Sequence, residues 1–573
     1  MEYLRSGITY WRKSVSLFCT LSLLVVLTPA QAQKKKPTSK QPNIIVILAD
    51  DMGFSDVGSY GGEIQTPNID LLAKGGLRFN QFYNASRCCP TRAALLTGLY
   101  NHQAGIGNMT TDQQVPGYRG YLTENTVTIA EVLKTAGYQT GMVGKWHVSN
   151  TQEKKPEAEH LKWQAHQVSY PEFSPLNQYP TARGFDKYYG NIWGVVNFFD
   201  PFGLVNGNTP VPFVPKGFYY TDALNDSAAA YVKQFHQKGK PFFLYVSHTA
   251  PHWPLHALPQ DIAKYRKIYQ AGWDSVRNER YRKMIKEGLF PADKNILSGR
   301  WDQERKWADN PDQAYDIEAM AVRAAMIDRM DQGIGRLIKT LKETGELDNT
   351  LILFLSDNGA SSDNAQNYGP GYDRPGETRT GEKIQYPVKK EVLPGPENTF
   401  ASHDKMWSNV ANAPFRYWKT EAYEGGICTP LIAYWPKGLI AKKGSVTDQV
   451  GHVFDFMATF VELAGAQYPK EFKGHKISAM AGKSLVPVFQ GKKREVHEYL
   501  FFEHIGRRAV RHGDWKIVTL NNKPWELYNL KEDRTEMNNL AAQHPEKVKQ
   551  LAAKWQEWAD QNQVFPKPTV ASK

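Results

Sequence analysis

The chain has 573 residues, with 70 Lys+Arg, 58 Asp+Glu, 41% hydrophobic and 12% aromatic residues, enough apolar surface for a sizeable core; a mainly disordered protein is excluded. Its 4 Cys exclude a disulfide-dense scaffold, and its formal charge of +12 admits nucleic acid, an anionic membrane or an anionic substrate without choosing among them. The length suits two to four domains, or one large α/β domain with an appendage.

At the N-terminus, Arg5, Arg12 and Lys13 precede a short apolar run over 15–26, and Ala30-Gln31-Ala32 follows with small residues. This pattern predicts a signal peptide over 1–32, cut after Ala32, which would remove Cys19 and send the mature chain to the periplasm or outside the cell. A basic, polar linker over 33–41 comes next, and no later run is long and apolar enough to span a bilayer.

Residues 43–49, NIIVILA, form a continuous apolar run rich in β-branched residues, the mark of a strand buried on both faces. Similar runs recur over 139–143, 241–247, 350–356 and 430–435, with helical patterns between them over 91–97, 126–135 and 318–341. In the last, Met326, Met330, Ile334, Leu337, Ile338 and Leu341 make a core-facing stripe. The alternation predicts an α/β domain over 42–490, with a large, mostly parallel central sheet flanked by helices. Two polar stretches, about 260–312 and 360–412, read as long loops, either functional or inert insertions. Beyond residue 490, short strands over 499–503, 508–511, 515–520 and 525–530, then a helix over 545–560, predict a small C-terminal α+β subdomain (491–573) with an antiparallel sheet.

In open α/β sheets, ligands bind beyond the carboxyl ends of the strands. Asp50 and Asp51 follow the first run, and Asp357 and Asn358 follow the run over 350–356. Three crowded carboxylates and an amide call for a neutralising cation, and an all-oxygen set suits Ca²⁺ or Mg²⁺ rather than zinc. In the segment 84–98, NASRCCPTRAALLTG, Cys88 stands just before a helix whose N–H groups favour anions, with Arg92 one turn on. By itself this describes a nucleophilic thiol of lowered pKa. After loss of Cys19 three thiols remain, an odd number for an oxidising compartment; a Cys89–Cys428 bridge is allowed by the sequence but unsupported by it.

C-x-P-x-R followed by AALLTG resembles the signature of the type I, formylglycine-dependent, arylsulfatase-like sulfatases of the alkaline-phosphatase-like superfamily, and the likeness runs from about 42 to 561. Pro90 and Arg92 lie two and four residues after Cys88, which selects Cys88 over Cys89. GKWH (Lys145, His147), APHWP (His252), SDNG (Asp357, Asn358) and KTEAYEGG (Lys419) complete it.

The resemblance implies a sulfuric ester hydrolase in which Cys88 is oxidised to Cα-formylglycine (3-oxoalanine). Asp50, Asp51, Asp357 and Asn358 would bind a divalent cation, usually Ca²⁺ with Mg²⁺ possible, and the modified Cys88 would complete the shell. Arg92 would hold the formylglycine, Lys145, His252 and Lys419 the sulfate, and His147 the formylglycine hydroxyl. Asp357 would take the proton of the attacking hydroxyl, and attack on sulfur would give a covalent sulfo-enzyme. His252, helped by Lys419, would protonate the leaving alcohol, and His147 would deprotonate the second hydroxyl so that sulfate departs.

Two other readings stay open: a phosphonate or phosphate monoester hydrolase of the same superfamily, and a non-catalytic binder of sulfated glycans if Cys88 is unconverted. Lys145, His252 and Lys419 together favour sulfate. His248 and His256 read as structural, Cys428 as a small buried residue and Cys89 as a spectator at a variable motif position. The expected partners are a sulfated small molecule or glycan and the maturation enzyme that generates formylglycine, with no nucleic acid and no membrane span after signal removal.

Overall fold

The computed structural model describes residues 41–564 apart from 292 and 294–296. The expected signal peptide with Cys19 and linker residues 33–40 lie outside the described residues.

The main sheet has 11 strands: β1 (Asn43–Ala49), β2 (Leu77–Tyr83), β3 (Gln139–Gly144), β4 (Lys187–Asn191), β5 (Leu204–Asn206), β6 (Thr209–Pro210), β7 (Phe242–Ser247), β8 (Thr350–Ser356), β9 (Cys428–Tyr434), β10 (Ser445–Thr447) and β11 (Gly451–His452). Their spatial order is β10-β2-β9-β8-β1-β7-β3-β4-β5-β6, with β11 also on β2. β1 pairs in parallel with β7 and β8, and β7 in parallel with β3. The sheet is mixed but mostly parallel, because β9 runs antiparallel to both β8 and β2.

The continuous apolar character of β1 follows from two covered faces. Ile45, Ile47 and Ala49 enter one core cluster with Met326, Met330 and Ile334 of the helix Gln313–Glu343. Ile44, Val46 and Leu48 enter the other with Ala93, Leu95 and Leu96 of the helix Cys88–Thr97. Each buried aliphatic side chain stabilises the fold by roughly 1.5–3 kcal/mol.

Two elements differ from the sequence pattern. β2, LRFNQFY, was hidden by its polar residues; Arg78 is nevertheless buried, donating to the Ser59 carbonyl at 2.7 Å. The stretch 260–312 is not one long loop: it folds in part into helices Pro259–Ile262, Arg266–Tyr269 and Gly272–Lys286. The inner face of the last carries Trp273, Val276 and Met284 beside buried Arg277 and Arg280, and those charges masked its periodicity. The stretch 360–412 is largely irregular, ending in the helix Lys405–Ala411, where Asp404 accepts from the N–H groups of Met406 and Trp407.

A small hairpin of β12 (Glu471–Phe472) and β13 (His475–Lys476) precedes the antiparallel sheet β14 (Tyr499–His504), β15 (Arg507–His512), β16 (Trp515–Thr519) and β17 (Glu526–Asn529). One face of that sheet, Val510, Ile517 and Leu527, packs on Leu551, Trp555 and Trp558 of the helix Pro545–Gln561. The other face, Ala509, Val518 and Tyr528, joins the main core. None of the described helices is long and apolar enough to cross a membrane.

Candidate active site

Because β1, β3, β7 and β8 are parallel, their carboxyl ends share one rim, where Asp50 and Asp51, Lys145 and His147, the segment to His252, and Asp357 and Asn358 emerge. Backbone bonds fix these ends together: Asp50 N–H to Ala250 O (3.1 Å), Asp357 N–H to Ala49 O (3.1 Å) and Lys145 N–H to Ser247 O (2.8 Å). Gly144 has φ +95°, and a Cβ there would stand 1.9 Å from Ser247 O, so only glycine lets the chain turn into Lys145. Asp51 and His147 hold left-handed backbone at φ +63° and +55°, a strain often found at functional sites. Cys88 is the first residue of the helix Cys88–Thr97, with Arg87 at its N-cap.

The side chains interlock. Lys145 Nζ donates to Asp50 Oδ2 at 2.6 Å, and Arg92 donates to Asp357 Oδ2 at 2.8 Å and lies 3.6 Å from Asp50. Arg92 also donates to Ser247 Oγ and to Lys145 O, the latter at 3.0 Å. Lys419 Nζ donates to Asp51 Oδ2 at 2.8 Å and sits 3.3 Å from His252 Nε2 and 3.7 Å from Asp363. Asn358 Nδ2 donates to Asp51 Oδ1 at 2.6 Å. All of these site residues except Asp363 are buried.

Burial and neighbouring charge shift the titrating groups. Burial pushes Asp50 up, but Lys145, His252 and Arg92 outweigh it and hold its carboxyl at about 2. Asp357 goes well above the usual carboxylate range, from burial first and then from the Asp50 charge. The Cys88 thiol falls well below its ordinary value, through the Cys89 hydrogen bond first and then Lys145 and His147. Burial lowers His147 to about 4 and also lowers His252. His252 Nδ1 lies 2.5 Å from the Trp253 carbonyl, which can only accept, so the proton sits on Nδ1 and Nε2 faces Lys419.

The residues present fit a hard cation. Asp50 Oδ1 and Asn358 Oδ1 are buried acceptors without a hydrogen-bond partner, beside two further carboxylates at the same rim. Asp50 and Asp51 also bring ligand atoms within 4.8 Å of a His252 nitrogen, but the oxygen donors predominate, and such a set suits Ca²⁺ or Mg²⁺.

All of the predicted site residues, Asp50, Asp51, Cys88, Arg92, Lys145, His147, His252, Asp357, Asn358 and Lys419, lie at this one rim. His256 is occupied elsewhere, accepting from Phe198 N–H and meeting Thr399 O at 2.7 Å. Cys88, Cys89 and Cys428 are free thiols, and burial pushes the Cys428 thiol up to about 12. Four contributors were not read from the sequence. Asp363, in the irregular stretch, faces Lys419 and accepts from Trp253 Nε1 at 3.2 Å. Ser247 braces Arg92 and donates to Lys145 O at 2.7 Å. Arg323 donates to Asp51 O at 3.0 Å and to Asp56 at 2.7 Å. Gly194 leaves room for the His147 ring. No local motif marks any of them.

A family model described as Sulfatase matches residues 42–466, and one described as N-sulphoglucosamine sulphohydrolase, C-terminal, matches 415–563. An uncharacterized sulfatase of Schizosaccharomyces pombe is 33% identical over 559 residues, covering 91% of this chain and 94% of the relative. The arylsulfatase of Klebsiella aerogenes is 32% identical over 469 residues, covering 79% of this chain and 93% of the relative. Among solved structures, Ps i-CgsB in complex with k-i-k-neocarrahexaose superposes with a TM-score of 0.62 at 26% identity, over 92% of this chain and 94% of the other.

Proposed function

The chain belongs to the sulfatase family of sulfuric ester hydrolases, and on that premise we propose that it works through a Cα-formylglycine made from Cys88 beside a divalent cation, Ca²⁺ or Mg²⁺. The observation that carries this reading is the pair of buried lysines, Lys145 and Lys419, each bound to an aspartate of the oxygen set while lying close enough to Cys88 to act on its charge.

Asp50, Asp51, Asp357 and Asn358 would hold the cation. The hydrated aldehyde would supply a nucleophilic hydroxyl and a second hydroxyl for release, and a cation held there would lower the pKa of the first. Asp357, in its carboxylate form beside Arg92 and the cation, accepts the proton of the attacking hydroxyl. Arg92 keeps Asp357 in place at 2.8 Å. Lys145 and Lys419 neutralise the charge that spreads over the sulfuryl oxygens. The leaving oxygen draws its proton from the Lys419–His252 pair, whose nitrogens are 3.3 Å apart. His147, kept neutral by burial, is free to accept a proton in the release step.

The Klebsiella arylsulfatase supports an aryl sulfate as substrate, and the complex of Ps i-CgsB with a neocarrahexaose supports a sulfated carbohydrate. Export to the periplasm or beyond is part of the same reading, supported by the charged and apolar N-terminal pattern.

Mass spectrometry of the Cys88 peptide, from protein made together with a formylglycine-generating enzyme, should show the aldehyde in place of the thiol. Turnover of an aryl sulfate should disappear in Cys88→Ala and on chelation, and return with Ca²⁺. Full turnover in Cys88→Ala, or a preference for phosphate esters with the thiol intact, overturns the reading. A desulfation screen across aryl sulfates and sulfated oligosaccharides then separates the two substrate classes.

A further inference from the structure

Beside the all-oxygen set lies a second donor set of opposite chemical character. Cys88, Cys89 and His147 each bring a ligand atom to within 4.8 Å of the other two, and all three residues are buried. Cys89 Sγ stands 3.8 Å from the thioether sulfur of Met109. His147 Nδ1 is buried without a hydrogen-bond partner. The hydrolytic reading uses neither Cys89 nor Met109.

We propose that the chain whose Cys88 is still a thiol binds one thiophilic dication, of the Zn²⁺ or Cd²⁺ class, through Cys88, Cys89 and His147. Two sulfurs and an imidazole select a soft or borderline cation, as surely as the neighbouring carboxylates select a hard one. Two thiolates and a neutral imidazole balance a dication. Three nearby protein cations are each countered by a carboxylate: Lys145 pairs with Asp50 at 2.6 Å, Arg92 with Asp357 at 2.8 Å, and Arg87 feels the Asp363 charge. Each ligating thiol gives its proton to solvent, and no oxidant is required. Adjacent cysteines bridge each other poorly, so both stay available as thiols. Conversion of Cys88 removes its sulfur, so the soft cation and the aldehyde exclude each other.

The test uses mature protein made without a maturation enzyme, its Cys88 thiol verified by mass, titrated with Cd²⁺ while the ultraviolet thiolate-to-metal charge-transfer band is followed. The band should saturate at one equivalent. Cys88→Ser, Cys89→Ser and His147→Gln should each weaken binding by at least about tenfold, the loss that removing even an outer-shell partner brings. Cys428→Ser should leave the titration unchanged. Metal-free Cys89→Ser should melt with the parent, and after conversion of Cys88 it should still turn over an aryl sulfate, which separates loss of a ligand from misfolding. Absence of a charge-transfer band at one equivalent, or a band that Cys89→Ser leaves intact, overturns the proposal.

Discussion

Gly194 shows how a residue without chemistry can govern one that has it. A Cβ at that position would stand 2.3 Å from Cε1 of His147 and 2.5 Å from Nε2, so Gly194→Ala must push the ring aside. A displacement of about 1 Å at a reacting group can cost 10²-fold. We expect kcat for an aryl sulfate to fall about 10–100-fold with little change in KM, measured against an unaltered circular dichroism spectrum; unchanged kcat would remove His147 from the release step. The charged residues of the rim were legible because they sit in short motifs of fixed spacing, such as GKWH and SDNG. Gly194 and Asp363 were not, since their significance arises from contacts: the hydrogen bond that ties Asp363 to the rim joins residues 110 positions apart in the chain.

At the level of elements, the helix Gln313–Glu343 does more than fill the core. Its apolar stripe was evident from spacing, whereas its one inward cation, Arg323, looked like an ordinary helical residue. Arg323 is buried and braces the strained Asp51 turn through the carbonyl, while sharing Asp56 with Arg280. Arg323→Met leaves the Asp51 carbonyl without that donor and Asp56 with one cation instead of two. Removing a partner from a buried ion pair costs about 3–5 kcal/mol, and the surviving Arg280 contact places this variant near the lower end. We expect a lower melting temperature together with a higher Ca²⁺ concentration for half-maximal activity, on the proposed cation site; a stability loss with Ca²⁺ titration unchanged would confine Arg323 to a structural role. The helix Gly272–Lys286 was read as loop for a related reason. Its buried face includes Arg277 and Arg280, so a pattern that counts only apolar positions breaks there.

Over the whole molecule, the C-terminal sheet is tied to the catalytic domain by buried charge. Lys516 on β16 reaches Glu424 at 2.9 Å and Glu536 at 2.8 Å, and Arg534 meets Glu424 at 3.0 Å, next to the helix Glu424–Ile427 that follows Lys419. Lys516→Met should destabilise the protein by about 3–5 kcal/mol in a denaturant titration; a loss below about 1 kcal/mol would mean that apolar packing alone holds the subdomain. Acid should act more broadly. Burial holds His147 and His256 at about 4 and His248, His403 and His452 at about 3, all below the unfolded value. The stability they contribute is complete above about pH 6.5 and is lost as pH falls toward 4, because the unfolded chain binds protons that the fold refuses. Burial raises Glu536 and Asp316 to about 7 and Asp331 to about 6, and it raises Asp357 as well, which works in the opposite sense over the same window. NMR titration of the imidazoles from pH 6.5 to 4.5 should find these histidines still neutral, and protonation of any of them above pH 6 in the folded protein would remove its share of the acid sensitivity. The sheet order has a consequence for synthesis. β1 leaves the ribosome early, but its neighbour β8 ends at Ser356, roughly 300 residues later. At about 5–20 residues per second that is roughly 15–60 s. For all of that time the most apolar strand of the molecule has at least one open edge, and crowded nascent chains will compete for it unless a holding chaperone occupies it first.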